Sequence, residues 1–174
     1  MAACPPHQIV VRTARPDDLT AVARLLDEAG NWMRSRGITD QWPIRFPLSD
    51  LAQRVDRGEL HIACDDDTAI GTFALDNYAD REFWHDDPDG TRAGYLHRLT
   101  VARDPAGQGI GAKLVDHAAS LVANSGRHWL RLDCAKNNTR LHAYYTHLGF
   151  THLRTIDIPH RKSGALFERH VLRP

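Results

Sequence analysis

Apolar residues recur along the chain with two different spacings, and each spacing predicts one kind of secondary structure. Stretches in which apolar and polar positions alternate, or in which a short apolar run is bounded by turn residues, predict strands. Stretches in which apolar residues recur every three to four positions predict helices. The predicted strands cover 8–13, 60–64, 69–75, 95–101, 129–134, 150–158 and 165–172, and the predicted helices cover 16–36, 48–57, 107–124 and 138–148.

The order of these elements is that of an α/β protein with a mixed sheet. The chain has 174 residues, which is the length of one domain, and it contains neither repeats nor low-complexity segments. We therefore expect a single domain over residues 1–174, in which a sheet of six to seven strands is flanked by about four helices. Residues 76–93 interrupt the pattern as a polar insertion with a D-P-D-G turn.

Composition and charge exclude several classes of protein. Lys and Arg number 22, and Asp and Glu also number 22, whereas a nucleic-acid-binding protein usually has a basic excess. No apolar run approaches the roughly 20 residues that span a bilayer. The first residues also lack the charged and apolar regions of a signal peptide. We therefore expect a cytoplasmic protein that binds neither nucleic acid nor membranes, and we leave a homodimer open.

The Cys and His residues lack the spacings of a disulfide framework or a metal site. Cys4, Cys64 and Cys134 are far apart and odd in number. His142 and His147 are five residues apart, and no H-E-x-x-H motif or Cys/His cluster occurs. We therefore expect no metal. Because Cys134 lies in a predicted strand, we interpret it as a buried packing thiol rather than a nucleophile.

Three alternating glycines, Gly107, Gly109 and Gly111, lie between the strand that ends near Val101 and the helix that follows. Glycine has no Cβ, so the backbone can approach a ligand closely there. The start of a helix adds free N–H groups and the positive end of the helix dipole. Phosphate is an anion that such a site binds well. The sequence therefore predicts a phosphate-bearing cofactor.

Two familiar phosphate-binding motifs do not fit these glycines. A P-loop needs G-x-x-x-x-G-K-[ST], whereas Gly111 is followed by Ala-Lys-Leu. A dinucleotide-binding fold needs G-x-G-x-x-G within repeated strand–helix–strand units, whereas the spacing here is G-x-G-x-G and only 63 residues follow Gly111. A helix start that is rich in glycine only for packing is a third, simpler interpretation.

Residues 106–111, A-G-Q-G-I-G, instead resemble motif A of the GNAT superfamily, the acyl-CoA-dependent N-acyltransferases, which reads [QR]-x-x-G-x-[GA]. Gly109 and Gly111 match the fourth and sixth positions. Ala106 departs from the first position, where the family has Gln or Arg, so one polar contact to the pyrophosphate is missing. Arg103 and Gln108 are candidates to replace that contact.

A second stretch strengthens the resemblance. Residues 138–150, N-T-R-L-H-A-Y-Y-T-H-L-G-F, match every fixed position of the family's motif B, N-x-x-[AL]-x-x-[LFY]-Y-x-x-x-G-F. The resemblance implies a GNAT-like sheet whose central strands splay apart. It also implies that the chain is an enzyme: an N-acetyltransferase that uses acetyl-CoA as co-substrate and transfers the acetyl group directly to an amine in a ternary complex.

The resemblance also assigns residues to the cofactor. The backbone of the glycine-rich turn would hold the diphosphate, and the edge of the preceding strand would pair with the pantetheine arm. Asn138 stands where the family has a residue that contacts the arm, although Asn is also a good helix N-cap, and the two roles are compatible. The predicted cofactor-binding residues are Leu99, Val101, Gly107, Gln108, Gly109, Ile110, Gly111, Ala112 and Asn138.

Two residues are predicted to carry the chemistry. Tyr145 matches the family's general-acid tyrosine, since a phenol can donate a proton to the leaving thiolate. Its alternative role is that of a core aromatic residue. His97 is our candidate for the base that deprotonates the amine, because strict alternation would put it on one strand face with Leu99 and Val101. A histidine without catalytic function is equally compatible with this position. Family members vary here, so Asp76 and Asp133 remain alternatives to His97.

The sequence does not identify the acceptor amine. In the segment that joins the first two predicted helices, Asp40, Trp42 and Phe46 have the chemistry to receive a cationic amine, or they form part of a lid packed on the sheet. A non-catalytic acyl-CoA sensor that keeps the cofactor cleft is the alternative to an enzyme. A transferase acting on a protein partner is a third hypothesis, without particular support in the charge pattern.

Overall fold

The computed structural model describes residues 9–39, 41–85, 92–104 and 108–171. Within them one sheet of seven strands has the order β1-β2-β3-β4-β5-β7-β6. The β4–β5 pair is parallel, whereas the neighbouring pairs are antiparallel, so the sheet is mixed as predicted. The strands are Ile9–Thr13 (β1), Leu60–Asp65 (β2), Thr68–Asp76 (β3), Ala93–Val101 (β4), Trp129–Ala135 (β5), Thr151–Thr155 (β6) and Ser163–His170 (β7).

Five α-helices flank the sheet in the described residues. They are Leu19–Ser35 (α1), Leu48–Asp56 (α2), Arg81–Trp84 (α3), Ile110–Asn124 (α4) and Thr139–His147 (α5), and the 3-10 turn Pro16–Asp18 precedes α1. The short α3 was not predicted. It lies in the polar insertion, where the Asp80 side chain accepts a hydrogen bond from the Glu82 amide and caps the turn. The D-P-D-G turn lies outside the described residues. No helix in the described ranges is long and apolar enough to cross a membrane.

The sheet separates two apolar clusters. Alternate residues of β3 show this, since Phe73 packs with α4 and α5 whereas Ala74 packs with α1 and α2. Each helix turns one apolar stripe toward the sheet. The residues of these stripes that are at most 1% exposed include Val22, Leu25 and Leu26 of α1 and Leu114, Val115 and Ala118 of α4.

An irregularity in β4 changes which side chains share a face. Thr72 of β3 pairs with Thr100, but Ala74 pairs with His97, so β4 contains one extra residue between the two pairs. Arg98, within this bulge, has a left-handed backbone with φ 55°. The predicted alternation is therefore wrong. Leu99 and Val101 pack on the α4 side, while His97, paired with Ala74, lies on the side of α1 and α2.

The two central strands diverge after Tyr95, just before the bulge. The parallel β4–β5 ladder contains the pairs of Ala93, Gly94 and Tyr95, and its last pair joins Tyr95 to Arg131. The remainder of β4, from Leu96 to Val101, is paired with β3 on one side and has no strand partner on the other among the described residues. This is the splayed gap that the resemblance predicted.

Candidate functional site

A cavity of about 1130 Å³ occupies the gap between β4 and β5. Its walls come from α1, from the loop that follows α1, from β4 and β5, and from the starts of α4 and α5. The predicted site residues that line it are His97, Leu99, Val101, Gly109, Ile110, Gly111, Ala112, Asn138 and Tyr145. Gln108 is described but does not line the cavity, and Gly107 lies outside the described residues.

The start of α4 presents free backbone donors to this cavity. Gly109 is the N-cap residue and has φ 77°, a left-handed conformation that glycine adopts without strain. The first bond inside the helix runs from the Lys113 amide to the Gly109 carbonyl, at 3.1 Å. The amides of Ile110, Gly111 and Ala112 therefore precede the helical ladder. None of the three donates a hydrogen bond to a described residue.

Gly111 also lies close to a residue of α5. A Cβ at this position would overlap the hydroxyl oxygen of Tyr144. Burial raises the pKa of Tyr144, so its phenol stays protonated at the α4 start. Motif A thus needs a small residue here so that α5 can approach α4, a packing reason that the spacing of the glycines did not show.

Asn138 caps α5, since its side-chain oxygen accepts a hydrogen bond from the Leu141 amide at 3.0 Å. The cap leaves the two N–H donors of the side-chain amide available. Asn138 also lines the cavity. The structure therefore brings the N-cap role and a position beside the cavity together in one residue.

Tyr145 lines the cavity and belongs to the apolar core. Its ring packs edge-on against Phe150, with 5.6 Å between centroids, and is 5.9 Å from Phe167. Burial raises the pKa of Tyr145 above its ordinary value, and the neighbouring Cys134 adds to the shift. Tyr145 is thus a core aromatic residue and, at the same time, a protonated phenol on the cavity wall.

Cys134 lies next to this phenol on β5. Burial raises the pKa of its thiol to about 12, and the charge of Asp133 adds to the effect. Since the thiolate is the nucleophilic form of cysteine, a thiol held protonated is a poor nucleophile. The surroundings of Cys134 therefore fit a packing thiol.

A polar network surrounds His97 on the opposite side of β4. His97 Nε2 is 3.3 Å from Asp76 Oδ1, and Arg54 donates to Asp76 Oδ2 at 3.1 Å. The Tyr78 amide also donates to Asp76 Oδ1, at 3.0 Å. Burial would raise the pKa of Asp76, but the hydrogen bond from His97 and the other donors outweigh it, so the pKa is lowered. Asp76 is a carboxylate that orients the imidazole.

The predicted alternatives for the base are thereby separated in space. Asp76 is joined to His97 and Arg54, and both of its oxygen atoms are occupied. Asp133 lies on β5, across the gap, and also lines the cavity. His97 has one ring nitrogen on Asp76, which leaves the other nitrogen for a ligand.

Sequence reasoning missed Arg98, a charged residue beside this network. Arg98 places its guanidinium 4.6 Å from the centre of the Phe46 ring, and Phe46 meets Trp42 edge-on at 5.3 Å. Asp40, which we grouped with these two aromatic residues, lies outside the described residues. Because Arg98 already stacks on Phe46, that ring is less available to a cationic amine. The sequence showed only a regular strand pattern. It did not predict the bulge that changes the direction of the Arg98 side chain.

A second group of cations lies toward the α4 end. Trp32 of α1 has the guanidinium carbon of Arg103 at 4.1 Å from its ring centre and that of Arg36 at 4.6 Å. Burial, and in second place the charge of Arg36, lowers the pKa of Arg103. Arg103 and Trp32 line the cavity. The wall just before the glycine-rich turn is therefore cationic and aromatic.

Comparisons with known proteins agree with this geometry. A model of the Acetyltransferase (GNAT) family matches residues 22–150. The uncharacterized N-acetyltransferase YesJ of Bacillus subtilis (strain 168) is 29% identical over 140 residues, which cover 77% of this chain and 77% of that protein. A GNAT family acetyltransferase from Listeria monocytogenes 4b F2365 has a TM-score of 0.78 at 22% identity, covering 93% of this chain and 94% of that one. The PaiA N-acetyltransferase of Thermoplasma acidophilum, solved in complex with coenzyme A, has a TM-score of 0.72 at 18% identity, covering 94% and 99%.

The splayed sheet is the fold that the resemblance to an acyl-CoA-dependent transferase predicted. The chain belongs to the acetyltransferase (GNAT) family, whose model matches well over half of it. The predicted family, fold class and enzyme class, an N-acetyltransferase, are thus confirmed. The roles of individual residues remain predictions.

Proposed function

We propose that this protein transfers the acetyl group of acetyl-CoA to the primary amine of a small molecule or peptide, by direct attack in a ternary complex. One observation carries the proposal. Within the described residues, one cavity is lined by the amides of residues 110–112, which make no hydrogen bond, by the part of β4 that lacks a strand partner on one side, and by His97, which contacts Asp76. These are the groups that a diphosphate, a pantetheine arm and an amine require.

The cofactor would lie along the backbone. Its diphosphate accepts from the amides of Ile110, Gly111 and Ala112, where the dipole of α4 adds attraction. The pantetheine arm contains two amides and can add to the free edge of β4 at Leu99 and Val101 as a short extra strand. Gly109, with its left-handed backbone, turns the chain into these amides, and Gln108 precedes it.

Arg103 would supply the charge that Ala106 lacks. Its guanidinium is held on Trp32 at 4.1 Å and lines the cavity just before the turn. A guanidinium in this place can donate two hydrogen bonds to a phosphate. Gln108 does not line the cavity, which favours Arg103 as the replacement.

The chemistry needs one base and one acid. The neutral amine attacks the thioester carbonyl, a C–N bond forms, and the C–S bond breaks. His97, oriented by Asp76, accepts the proton that the amine must lose, directly or through water. Tyr145 donates its phenolic proton to the leaving sulfur, and burial keeps that phenol protonated until the thiolate forms. The products are the N-acetyl amine and CoA as the free thiol.

The alternative is a sensor that binds acyl-CoA without turnover. The test is release of free thiol from acetyl-CoA, measured over a panel of amines, with CoA binding measured by calorimetry in parallel. An enzyme releases thiol in proportion to an amine that it accepts, and one equivalent of acetylated amine appears. A sensor binds CoA yet releases thiol no faster with amine than without it, and that result would overturn the proposal.

A further inference from the structure

Arg98 occupies a backbone conformation that does not suit arginine. Its φ of 55° lies in the left-handed region, which Gly and Asn adopt more readily. Strain of this kind is kept where a side chain has to point in a particular direction. Here the bulge turns Arg98 into the same cavity that the preceding residue, His97, lines.

The guanidinium of Arg98 has no polar partner in the described part of the chain. Its Nη1 atom is buried and makes no hydrogen bond there. Its flat face rests on the Phe46 ring, 4.6 Å from the ring centre. A buried donor without a partner costs free energy, so in a native structure it calls for an explanation.

Of the charged residues near Arg98, Arg54 and Asp76 already have partners. Arg54 is shared between Asp76 at 3.1 Å and Glu59 at 3.2 Å. The charge of Arg54 also disfavours a second cation beside it, while those of Asp50 and Asp76 partly compensate, although neither carboxylate accepts a hydrogen bond from Arg98 in the described part of the chain. Burial is the largest of the effects that lower the pKa of Arg98. An anionic group on the ligand would supply what this guanidinium lacks.

We propose that the acceptor amine also carries a carboxylate, which Arg98 binds while His97 receives the proton of the amine. This inference rests on the proposed acetyl transfer and names the class of its acceptor, amino acids and related amino carboxylates. A planar guanidinium matches a carboxylate with two parallel hydrogen bonds. His97 and Arg98 are adjacent in the chain, and consecutive Cα atoms are about 3.8 Å apart. The side chains proposed to bind the amine and the carboxylate therefore arise from neighbouring backbone positions. In an amino acid the amine and the carboxylate are likewise close together.

The local charges favour a carboxylate over a phosphate. Asp50 and Asp76 both act on Arg98 electrostatically. A dianion would be repelled by two carboxylates, whereas a monoanion that contacts the guanidinium closely experiences a smaller repulsion. A purely cationic acceptor gains little here, because the Phe46 ring already holds a cation.

The test measures acetylation of matched acceptors by the full-length protein with acetyl-CoA. Each free amino acid in the panel is compared with its carboxamide and with the decarboxylated amine of the same skeleton, and an aminophosphonate serves as the phosphate-like probe. We expect kcat/KM for at least one amino acid to exceed that of its carboxamide by roughly tenfold to a hundredfold, the range for hydrogen bonds to charged groups. The difference should lie mainly in KM, because the carboxylate does not react.

Variants identify Arg98 as the cause of this preference. In Arg98→Gln the ratio between amino acid and carboxamide should fall to near one, and in Arg98→Lys it should recover in part, since the charge remains but the paired hydrogen bonds do not. The exposed Arg24, which pairs with Glu28 on α1, provides the matched control Arg24→Gln, whose ratio should equal that of the wild type. Thermal unfolding of each variant checks that it is folded.

The outcomes separate the two proposals. If no amine is acetylated although CoA binds, the proposed transferase function fails. If amines are acetylated but the decarboxylated amines, the carboxamides or the aminophosphonate are preferred, the carboxylate proposal alone is overturned. It is equally overturned if Arg98→Gln lowers kcat/KM for the amino acid and its carboxamide by the same factor.

Discussion

The two ends of the cavity are built in different ways. At the α4 end, the groups predicted to bind the cofactor are backbone amides, arranged by a left-handed Gly109 and by a Gly111 that admits Tyr144. At the β4 bulge, the groups are side chains from separate elements, joined by hydrogen bonds between His97, Asp76 and Arg54. A backbone site depends on a few small residues at fixed spacing, whereas a side-chain site can be assembled from distant positions.

This difference explains how readily each end can change. We expect that replacing a side chain at the bulge changes recognition of the acceptor without disturbing the amides at α4, because the bulge and the amides are joined through the strand β4. At the α4 end, a side chain at Gly111 would have to displace the hydroxyl end of Tyr144. Variants at either end can therefore test whether cofactor binding and acceptor chemistry are separable.

The largest expected effect comes from Tyr145, which lies between the two ends. Tyr145→Phe removes the phenolic proton but keeps the ring that packs on Phe150 and Phe167. We expect kcat to fall by about 10²- to 10⁴-fold, the usual contribution of a general acid, with the Kd for CoA unchanged. Steady-state kinetics and calorimetry measure the two quantities. A wild-type kcat in Tyr145→Phe would exclude the acid role.

A buried histidine that does not line the cavity, His61, limits the pH range in which variants at the two ends of the cavity can be compared. His61 stacks on Phe73 at 4.7 Å, and burial lowers its pKa from 6.5 to about 4, with a smaller contribution from His117. Below pH 6.5 the unfolded chain binds a proton that the folded chain does not, so stability falls as the pH decreases from 6.5 to 4. The loss is about 3 kcal/mol at its limit.

Denaturant unfolding across this pH range checks the expectation. In His61→Leu the same loss should be absent, because the substituted residue does not titrate. If His61→Leu and the wild type lose stability in parallel between pH 6.5 and pH 4, His61 is not the cause.

Substitution of Gly109 can separate an effect of backbone strain on stability from an effect on CoA binding. Gly109→Val places a branched side chain on a left-handed residue, in open space at the mouth of the diphosphate site. Gly58→Val is a matched control, because Gly58 has φ 69° and equally open surroundings but does not line the cavity. Both variants should lose about 1–2 kcal/mol of stability. We expect only Gly109→Val to raise the Kd for CoA, by about tenfold, which corresponds to about 1.4 kcal/mol. Equal Kd values in the two variants would count against the amide site.

The smallest expected change in activity comes from substitution of Asp76, which acts on the reaction through His97. Asp76→Asn keeps the shape but removes the charge that orients and stabilises a protonated imidazole. We expect kcat to fall by about tenfold, a loss of about 1.4 kcal/mol in transition-state stabilisation, while the Kd for CoA stays the same. Asp116→Asn is the control, since Asp116 forms an exposed pair with Arg169. A changed pH profile of kcat in Asp76→Asn alone would distinguish positioning of His97 from a structural role.

The fold was predictable because its elements are long and regular. The periodic patterns of α1 and α4 and the alternation of β2, β3 and β5 predicted elements within a few residues of those observed. The short α3 was missed because its four residues are too few to show a period, and its cap at Asp80 is visible only once the turn is formed. The strand faces were wrong beyond His97, since a bulge leaves no pattern in an otherwise regular strand.

The amino-acid sequence alone determined the order of the elements, the glycine-rich turn before α4, and the motif-B residues Asn138 and Tyr145. These features depend on local geometry and on spacing within one element. The tertiary structure alone decided that Asp76 orients His97, that Arg98 stacks on Phe46, and that Tyr144 requires Gly111 to be small. Those contacts join residues far apart in the chain, so the packing of strands and helices, rather than any short pattern, brings them together.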